Sequence, residues 1–165
     1  MESTINIKLD FSGLKSIFDG CNVLDSNVVE AGVLDGDNQT ISEAYLNEFG
    51  GETVYRDGPF AGEKVLVPPR SFVRYPAEHN AKKAFKKAKE ILSKGINRAN
   101  AQEALDTVGD YIAEAQQKTL ETNGGDSPGW VKHNEYRTVA TKGFDKPLWS
   151  RRNETFPISY KVVRK

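Results

Sequence analysis

The segment 35–39 has side chains that can bind calcium, because acidic and amide oxygens follow one another closely there. A helix–loop–helix calcium site needs glycine at the sixth position of its loop and glutamate at the twelfth. Thr40 and Leu46 occupy these positions in this chain. We therefore expect a turn that leads into a helix capped by Thr40, and no bound metal or other cofactor.

The histidines and the cysteine give no sign of a catalytic site. His79 and His133 are far apart, without partners at metal-ligand spacing, so each is expected to be solvated or hydrogen bonded. Cys21 has no basic neighbour within five positions and is interpreted as a small buried hydrophobe. The sequence has no phosphate-binding loop, dinucleotide fingerprint or recognisable hydrolase pair of nucleophile and base. We expect a protein that is not an enzyme.

Six lysines form the third chemically distinctive group: Lys82, Lys83, Lys86, Lys87, Lys89 and Lys94. Residues 80–98 hold 7 basic residues, with Glu90 as the one acidic residue. Such a stripe can bind nucleic-acid phosphates without sequence preference. No aromatic residue lies between the lysines on the basic face, which favours a solvated face or a protein interface instead. Both interpretations stay open at the level of the sequence.

Apolar spacing predicts two long helices in the middle of the chain, the first of which carries the lysines. The apolar residues recur at helical spacing over 81–96 and again over 101–115, and glycines near 124 end the second helix. We expect the two helices to pack through one stripe of large side chains: Phe85, Ile91, Leu92, Leu105, Val108 and Ile112.

Shorter elements surround these helices. Helices are predicted at 11–18, closed by Gly20, at 42–49 and at 135–142, and strands at 5–9, 27–34, 65–67 and 156–163. Residues 51–63 are rich in glycine and predict a loop or loose hairpin. The whole chain, residues 1–165, is thus predicted to be one α+β domain with extended loops at about 51–63 and 144–155. A small antiparallel sheet has the two long helices packed against it.

Composition excludes several classes of protein. Hydrophobic residues make up 38% of the 165 residues, and no run approaches the roughly 20 apolar residues of a membrane helix. Residues 1–4 lack the basic start and apolar run of a signal peptide, and a single cysteine forms no internal disulfide. We expect a protein made in a reducing cytoplasm, without a membrane partner.

The formal net charge of zero hides a division between two parts of the chain. Residues 1–63 hold 12 acidic and 3 basic side chains, a net charge of −9, whereas residues 64–165 carry a net charge of +9. Opposite charges can meet within one fold or between neighbouring copies. The sequence leaves both arrangements open, and the second would be a head-to-tail contact between subunits.

Two stretches, taken in order, resemble a known family. The first is residues 44–50 followed by 67–74, and the second is 138–143 followed by 145–148. With two long helices between them and a strand after them, this order is similar to the bacteriophage virion-morphogenesis family of tail-completion and head–tail joining proteins. The resemblance runs from about Val28 to Val163. The loop at 51–63 is longer than the family pattern, and the glycine expected soon after Leu148 is missing.

This resemblance implies a structural virion protein of the neck, a tail-completion or tail-terminator component. Its expected partners are further copies of itself, in a ring of about six or twelve, a head connector or adaptor protein, and tail tube or sheath proteins. DNA would pass through the ring, and the protein would assemble in the host cytoplasm. The alternative is a nucleic-acid-binding protein that uses the lysine-rich helix 82–94. Phe72 is expected to be buried, and the candidates for interface residues are Arg70, Arg74, Lys83, Lys87, Arg151 and Arg152.

Overall fold

The structure, a computed structural model, describes residues 12–56, 58–125, 127–149 and 154–165. The predicted strand at 5–9 and the candidate residues Arg151 and Arg152 lie outside these ranges. The elements in chain order are α1 (Ser12–Ser26), β1 (Asn27–Gly32), α2 (Asn38–Phe49), β2 (Gly51–Val54), β3 (Lys64–Val67), α3 (Arg74–Leu92), α4 (Arg98–Glu121), α5 (Tyr136–Lys142) and β4 (Ser159–Arg164). The predicted α+β class with two long helices is confirmed.

The strands of the described ranges form two separate antiparallel pairs. β1 pairs with β4, with Val29 opposite Val162, and β2 pairs with β3, with Gly51 opposite Val67. The β1–β4 pair joins sequence-distant parts of the chain and so closes the fold. The β2–β3 pair is a hairpin, so the region predicted as a loop or loose hairpin begins with a strand.

Helix α4 contacts α1, α3, β1 and β4 and is therefore the central element. Helices α3 and α4, which contact each other, each bury two alanines: Ala84 and Ala88 on α3, and Ala101 and Ala104 on α4. Because the distance between two helix axes depends on the side chains at the contact, these alanines allow a close approach. The prediction that Phe85 lies in this interface is wrong, since its side chain is 63% exposed.

Helix α1 is longer than the sequence predicts, because Gly20 is not its end. A Cβ atom at Gly20 would lie 2.9 Å from backbone atoms of Asn97, the residue that caps α4. The glycine is thus explained by the close contact between the two chain segments. Helix α1 continues to Ser26 and leads directly into β1.

The main hydrophobic cluster lies between α2, the last turn of α4 and the C-terminal segment. Phe72 and Leu120 are fully buried in it, together with Ala44 and Trp130. The ring of Phe72 stacks on that of Phe156 at a centroid distance of 5.4 Å. The predicted burial of Phe72 is confirmed. None of the helices in the described residues is both long enough and apolar enough to cross a membrane.

Candidate functional site

The carboxylate of Glu48 connects the end of α2 to the start of α3. Glu48 is 4% exposed and accepts hydrogen bonds from the Ser71 hydroxyl at 2.7 Å and from the N–H groups of Val73 at 2.9 Å and Arg74 at 3.2 Å. Arg74 also donates through Nε at 3.1 Å. The first N–H groups of a helix lack partners within it and favour a negative charge. Glu48 therefore caps α3 from another element, and we call this contact the α2–α3 junction.

Gly50 allows the chain to turn against the proline pair beside this junction. Its φ is +74°, and a Cβ atom would lie 2.9 Å from the ring of Pro69. The N–H group of Arg70 donates to the carbonyl of Asn47 at 2.7 Å. The predicted end of α2 at Gly50 is confirmed, and the two parts of the first family-like stretch lie in direct contact.

The guanidinium group of Arg70 points into the protein. Arg70 is 4% exposed, and it donates to the carbonyl oxygens of Val131 at 3.1 Å and His133 at 3.3 Å. Burial lowers the pKa of Arg70, and the negative charge of Asp145 acts in the opposite direction. Arg70 thus holds residues 131–133 to the junction, and in the single chain it offers no charged surface to a partner.

Arg74, the second arginine proposed as an interface residue, is only partly buried. Its Nε is bonded to Glu48, and its guanidinium lies over the ring of Phe49, 4.7 Å from the centroid. The side chain is 57% exposed. Arg74 therefore joins the buried junction to the outer surface of α2.

Asp145, in the second family-like stretch, lies near Arg70. Its carboxylate accepts the N–H group of Asn134 at 2.7 Å and lies 2.7 Å from Nδ1 of His133. The hydrogen bond from Asn134, followed by the contact with His133, lowers the pKa of Asp145. His133 is thus partnered at the surface, within the predicted alternatives of a solvated or hydrogen-bonded histidine.

Lys142, at the end of α5, completes this group of charges. Its ammonium donates to the carbonyl of Lys146 at 2.9 Å. Burial lowers the pKa of Lys142 to about 8, the nearby charge of Arg70 acts in the same direction, and Asp145 opposes both. The two stretches that carry the resemblance therefore meet around Arg70, although residues 75–137 separate them in sequence.

A cavity of about 480 Å³ opens beside this group of charges, between α2, β3 and α5. Arg70 and Lys142 line it together with five carboxylates: Asp35, Asp37, Glu43, Glu135 and Glu154. Asp37 accepts the N–H group of Thr40 at 2.7 Å, which lowers the pKa of Asp37 and caps α2. The helix cap is thus Asp37, and the expectation of Thr40 is wrong. Among the described residues, no group of three or more His, Cys, Asp or Glu side chains is placed to hold a metal ion.

Two helices present apolar side chains to solvent. On α1, Leu14, Ile17 and Phe18 are 51%, 45% and 66% exposed, and their spacing places them on one face. We call this set the α1 stripe. An α2 stripe consists of the exposed residues Ile41, Tyr45 and Phe49. Contiguous exposed apolar surface on a soluble domain marks a site of interaction.

Cys21 continues the face of the α1 stripe, since it lies seven positions after Leu14. It is exposed, so the expectation of a buried cysteine is wrong. The helix buries Gly20 against α4 instead, which turns its neighbour Cys21 outward.

The lysine-rich face of α3 is exposed, and the expectation that no aromatic residue shares it is wrong, because the exposed Phe85 lies between Lys82 and Lys89. Lys83 and Lys87, the two candidates for interface residues on this face, are both exposed, and Lys87 lies over the ring of Tyr111 at 4.5 Å. Within the described part of the chain, no lysine of this face lies within 4 Å of a carboxylate. The face is therefore available to a partner of opposite charge.

The sequence did not indicate the role of Gln116, which is 1% exposed in the middle of the fold. Its amide donates to the carbonyls of Val73 at 3.1 Å and Ala31 at 3.3 Å, which joins α4 to both the junction and β1. One sequence feature could have indicated this role: Gln116 is a polar residue four positions after Ile112, on the apolar face of the helix. The capping role of Glu48 was missed in the same way, since its partners follow more than twenty residues later.

No family model, curated protein or solved structure matches this chain. The fold and its site define an α+β domain with a buried polar junction and apolar stripes on its surface.

Proposed function

We propose that the chain is a structural subunit of a bacteriophage neck, which forms a ring and joins the head connector to the tail. The observation that carries the proposal is the exposed α1 stripe on a chain whose two parts carry opposite net charges. The partners follow the family-like residues: further copies of the chain, a connector or adaptor, and tail tube or sheath proteins. The place of action is the neck of the virion, with assembly in the host cytoplasm and DNA passing through the ring.

The apolar stripes support assembly because their side chains would gain from being covered. Removal of one large apolar side chain from water stabilises a contact by roughly 1.5–3 kcal/mol. Three such residues on α1 and three on α2 supply two separate adhesive faces. A ring closes by heterologous contacts, in which an exposed face of one copy meets a different surface of the next copy.

The charge division supports the same arrangement. Asp19 and Asp25 are exposed on α1, whereas the lysines of α3 are exposed on another helix. An acidic face on one copy can attract the basic face of the next, which sets the direction of assembly. The isolated chain does not use these lysines for ion pairs among its described residues.

The buried junction supports a structural role over a catalytic one. Glu48 and Arg70 are buried, Asp145 is exposed, and each has hydrogen-bond partners that hold helices and loops in place. Hydrogen bonds of this kind favour one arrangement of the elements that they join. The residues that carry the family resemblance thus have an architectural explanation.

The experiment is complementation in the bacteriophage whose genome carries the chain. With the gene deleted, we expect full heads and free tails that do not join, and a plasmid copy of the wild-type chain should restore joined particles. Cryo-electron microscopy of the restored particles should place the chain in a ring at the neck. Joined particles in the absence of the gene would contradict the proposal.

A second function, nucleic-acid binding, is favoured by the exposed lysine face. The discriminating measurement is the mobility of a DNA duplex mixed with the wild-type chain, with Lys83→Glu and Lys87→Glu together, and with Lys132→Glu and Lys165→Glu together as a matched control. Binding to DNA through α3 would be lost in the first double variant only and would weaken steeply with salt. No binding by the wild-type chain would remove this candidate.

A further inference from the structure

An apolar groove of about 350 Å³ runs between β1, α3 and α4. Its lining is almost wholly apolar: Val29, Ala31, Ala77, Ala81, Phe85, Val108 and Ile112, with Glu78 as the one charged residue among those the structure describes. Phe85, which is absent from the α3–α4 interface, forms a wall of this groove and is 63% exposed. The displaced phenylalanine therefore belongs to an open surface rather than to the core.

Lysines flank the groove. Lys82 lies three positions before Phe85 and Lys89 lies four positions after it, so both share its face of α3. Helix α3 holds six basic and two acidic residues, a net charge of +4. An occupant of this groove must therefore combine an apolar stripe with negative charge.

The α1 stripe and its surroundings have this chemistry. Leu14, Ile17 and Phe18 supply three large apolar side chains along one helix face. Helix α1 itself holds two exposed acidic residues, Asp19 and Asp25, and one basic residue, Lys15. Asp25 lies seven positions after Phe18, on the same face as the stripe, so this face carries negative charge where α3 carries positive charge.

We infer that the α1 stripe of one copy seats in the groove between β1 and α3 of the next copy, so that the chain assembles head to tail. The inference rests on the proposed ring and assigns the two surfaces that form it. The stripe and the groove are different surfaces, so each copy uses one toward each neighbour, and the contact repeats until the ring closes. The acidic residues of α1 then face the lysines on either side of Phe85, which fixes the direction of the contact.

The test uses two variants, each with one broken surface. The stripe variant carries Ile17→Asp and Phe18→Asp, and the groove variant carries Phe85→Asp and Lys89→Glu. All four side chains are exposed, so both variants should keep the circular dichroism of the wild type. A carboxylate in an apolar contact is costly, so each variant alone should associate at least tenfold more weakly than the wild type, by native mass spectrometry.

The mixture of the two variants decides the geometry. One intact stripe and one intact groove remain, so an equimolar mixture should give a 1:1 heterodimer and nothing larger. Folded variants that still form wild-type oligomers would overturn the inference, because the stripe and the groove would then not be the contact. A mixture that stays monomeric would also overturn it. A wild-type chain that is itself monomeric would instead refute the proposed ring.

Cysteine cross-linking gives a second measurement that does not depend on the aspartate variants. Cys21 is exposed beside the α1 stripe and is the one cysteine of the chain. With Lys89→Cys added, mild oxidation should give a ladder of multimers on a non-reducing gel, because each copy then has a thiol on both surfaces. Lys132→Cys, an exposed control, should give no ladder, and neither should Lys89→Cys combined with Cys21→Ser. A Lys89→Cys pattern equal to the Lys132→Cys control would count against the inference.

Discussion

Around Glu48 and Arg70 the chain buries charged side chains, whereas along α1 and α2 it leaves large apolar side chains in water. The buried charges have backbone partners from distant parts of the sequence. The exposed apolar side chains lie on regular helix faces. The two regions thus reverse the usual distribution of polar and apolar residues in a monomer.

The contrast indicates that the interior and the surface have different roles, the first in holding the fold and the second in meeting partners. Buried polar side chains that are hydrogen bonded to distant backbone groups favour one arrangement of the elements that they join. Apolar stripes on a fixed arrangement can then meet partners without first being ordered. The junction around Glu48 and Arg70 therefore sets the geometry of the faces that we propose for assembly.

The largest effect should come from removal of the Glu48 carboxylate. Glu48→Ala leaves the Ser71 hydroxyl and the first N–H groups of α3 without their acceptor, and we expect a loss of about 3–5 kcal/mol in the free energy of unfolding. Urea denaturation measures it. Glu103→Ala, at an exposed position of α4, is the matched control, with a change of no more than about 0.5 kcal/mol. Equal midpoints for the two variants would mean that the carboxylate is not a structural cap.

The next largest effect is expected for a buried apolar residue, which we compare with an exposed one. Leu120→Ala, in the fully buried cluster, should cost about 2–5 kcal/mol because it leaves a cavity. Phe85→Ala removes a larger side chain, yet it should change the free energy of unfolding by no more than about 0.5 kcal/mol, since the ring is exposed. A large cost for Phe85→Ala in the monomer would place this residue in the core after all.

The difference at Phe85 shows what the sequence can and cannot predict. Local sequence patterns predicted the two long helices, the ends of the helices at 49 and 142 and the burial of Phe72, because these depend on local spacing and backbone preference. It did not show that alanines bring α3 and α4 close together, since that depends on which faces meet. The roles of Glu48 and Gln116 also depend on partners far along the chain, and no local pattern encodes them.

A smaller effect concerns Lys142 and pH. The pKa of Lys142 is lowered to about 8 in the folded chain from 10.5, so the unfolded chain binds more protons between these values. The free energy of unfolding should therefore rise with pH from about 8 to about 10.5 by this group's contribution. Over this range, the free energy of unfolding of the wild type should rise by about 1 kcal/mol more than that of Lys142→Met. This is less than the full pKa shift implies, because contact with water screens part of it. Denaturation of both proteins at several pH values measures the difference, and parallel curves would show that Lys142 is ordinarily solvated.

The smallest effect on stability is expected for substitutions on the lysine-rich face of α3. These substitutions should affect assembly instead. Lys83→Glu with Lys87→Glu should alter the free energy of unfolding by about 0.5 kcal/mol or less, since both side chains are exposed. Complementation with this double variant should nevertheless yield fewer joined particles, while circular dichroism shows a folded chain. Wild-type numbers of particles would make the lysine face ordinary solvated surface.

The most direct test of the account is the mass of the wild-type protein in solution, measured by native mass spectrometry and sedimentation velocity over a range of concentration and salt. The account predicts one closed oligomer at 0.1 M salt that dissociates more readily at 1 M. Screening shortens the reach of charges from about 10 Å to about 3 Å between these conditions. A monomer at every concentration and both salt levels would contradict the claim that the exposed stripes and divided charges exist for assembly.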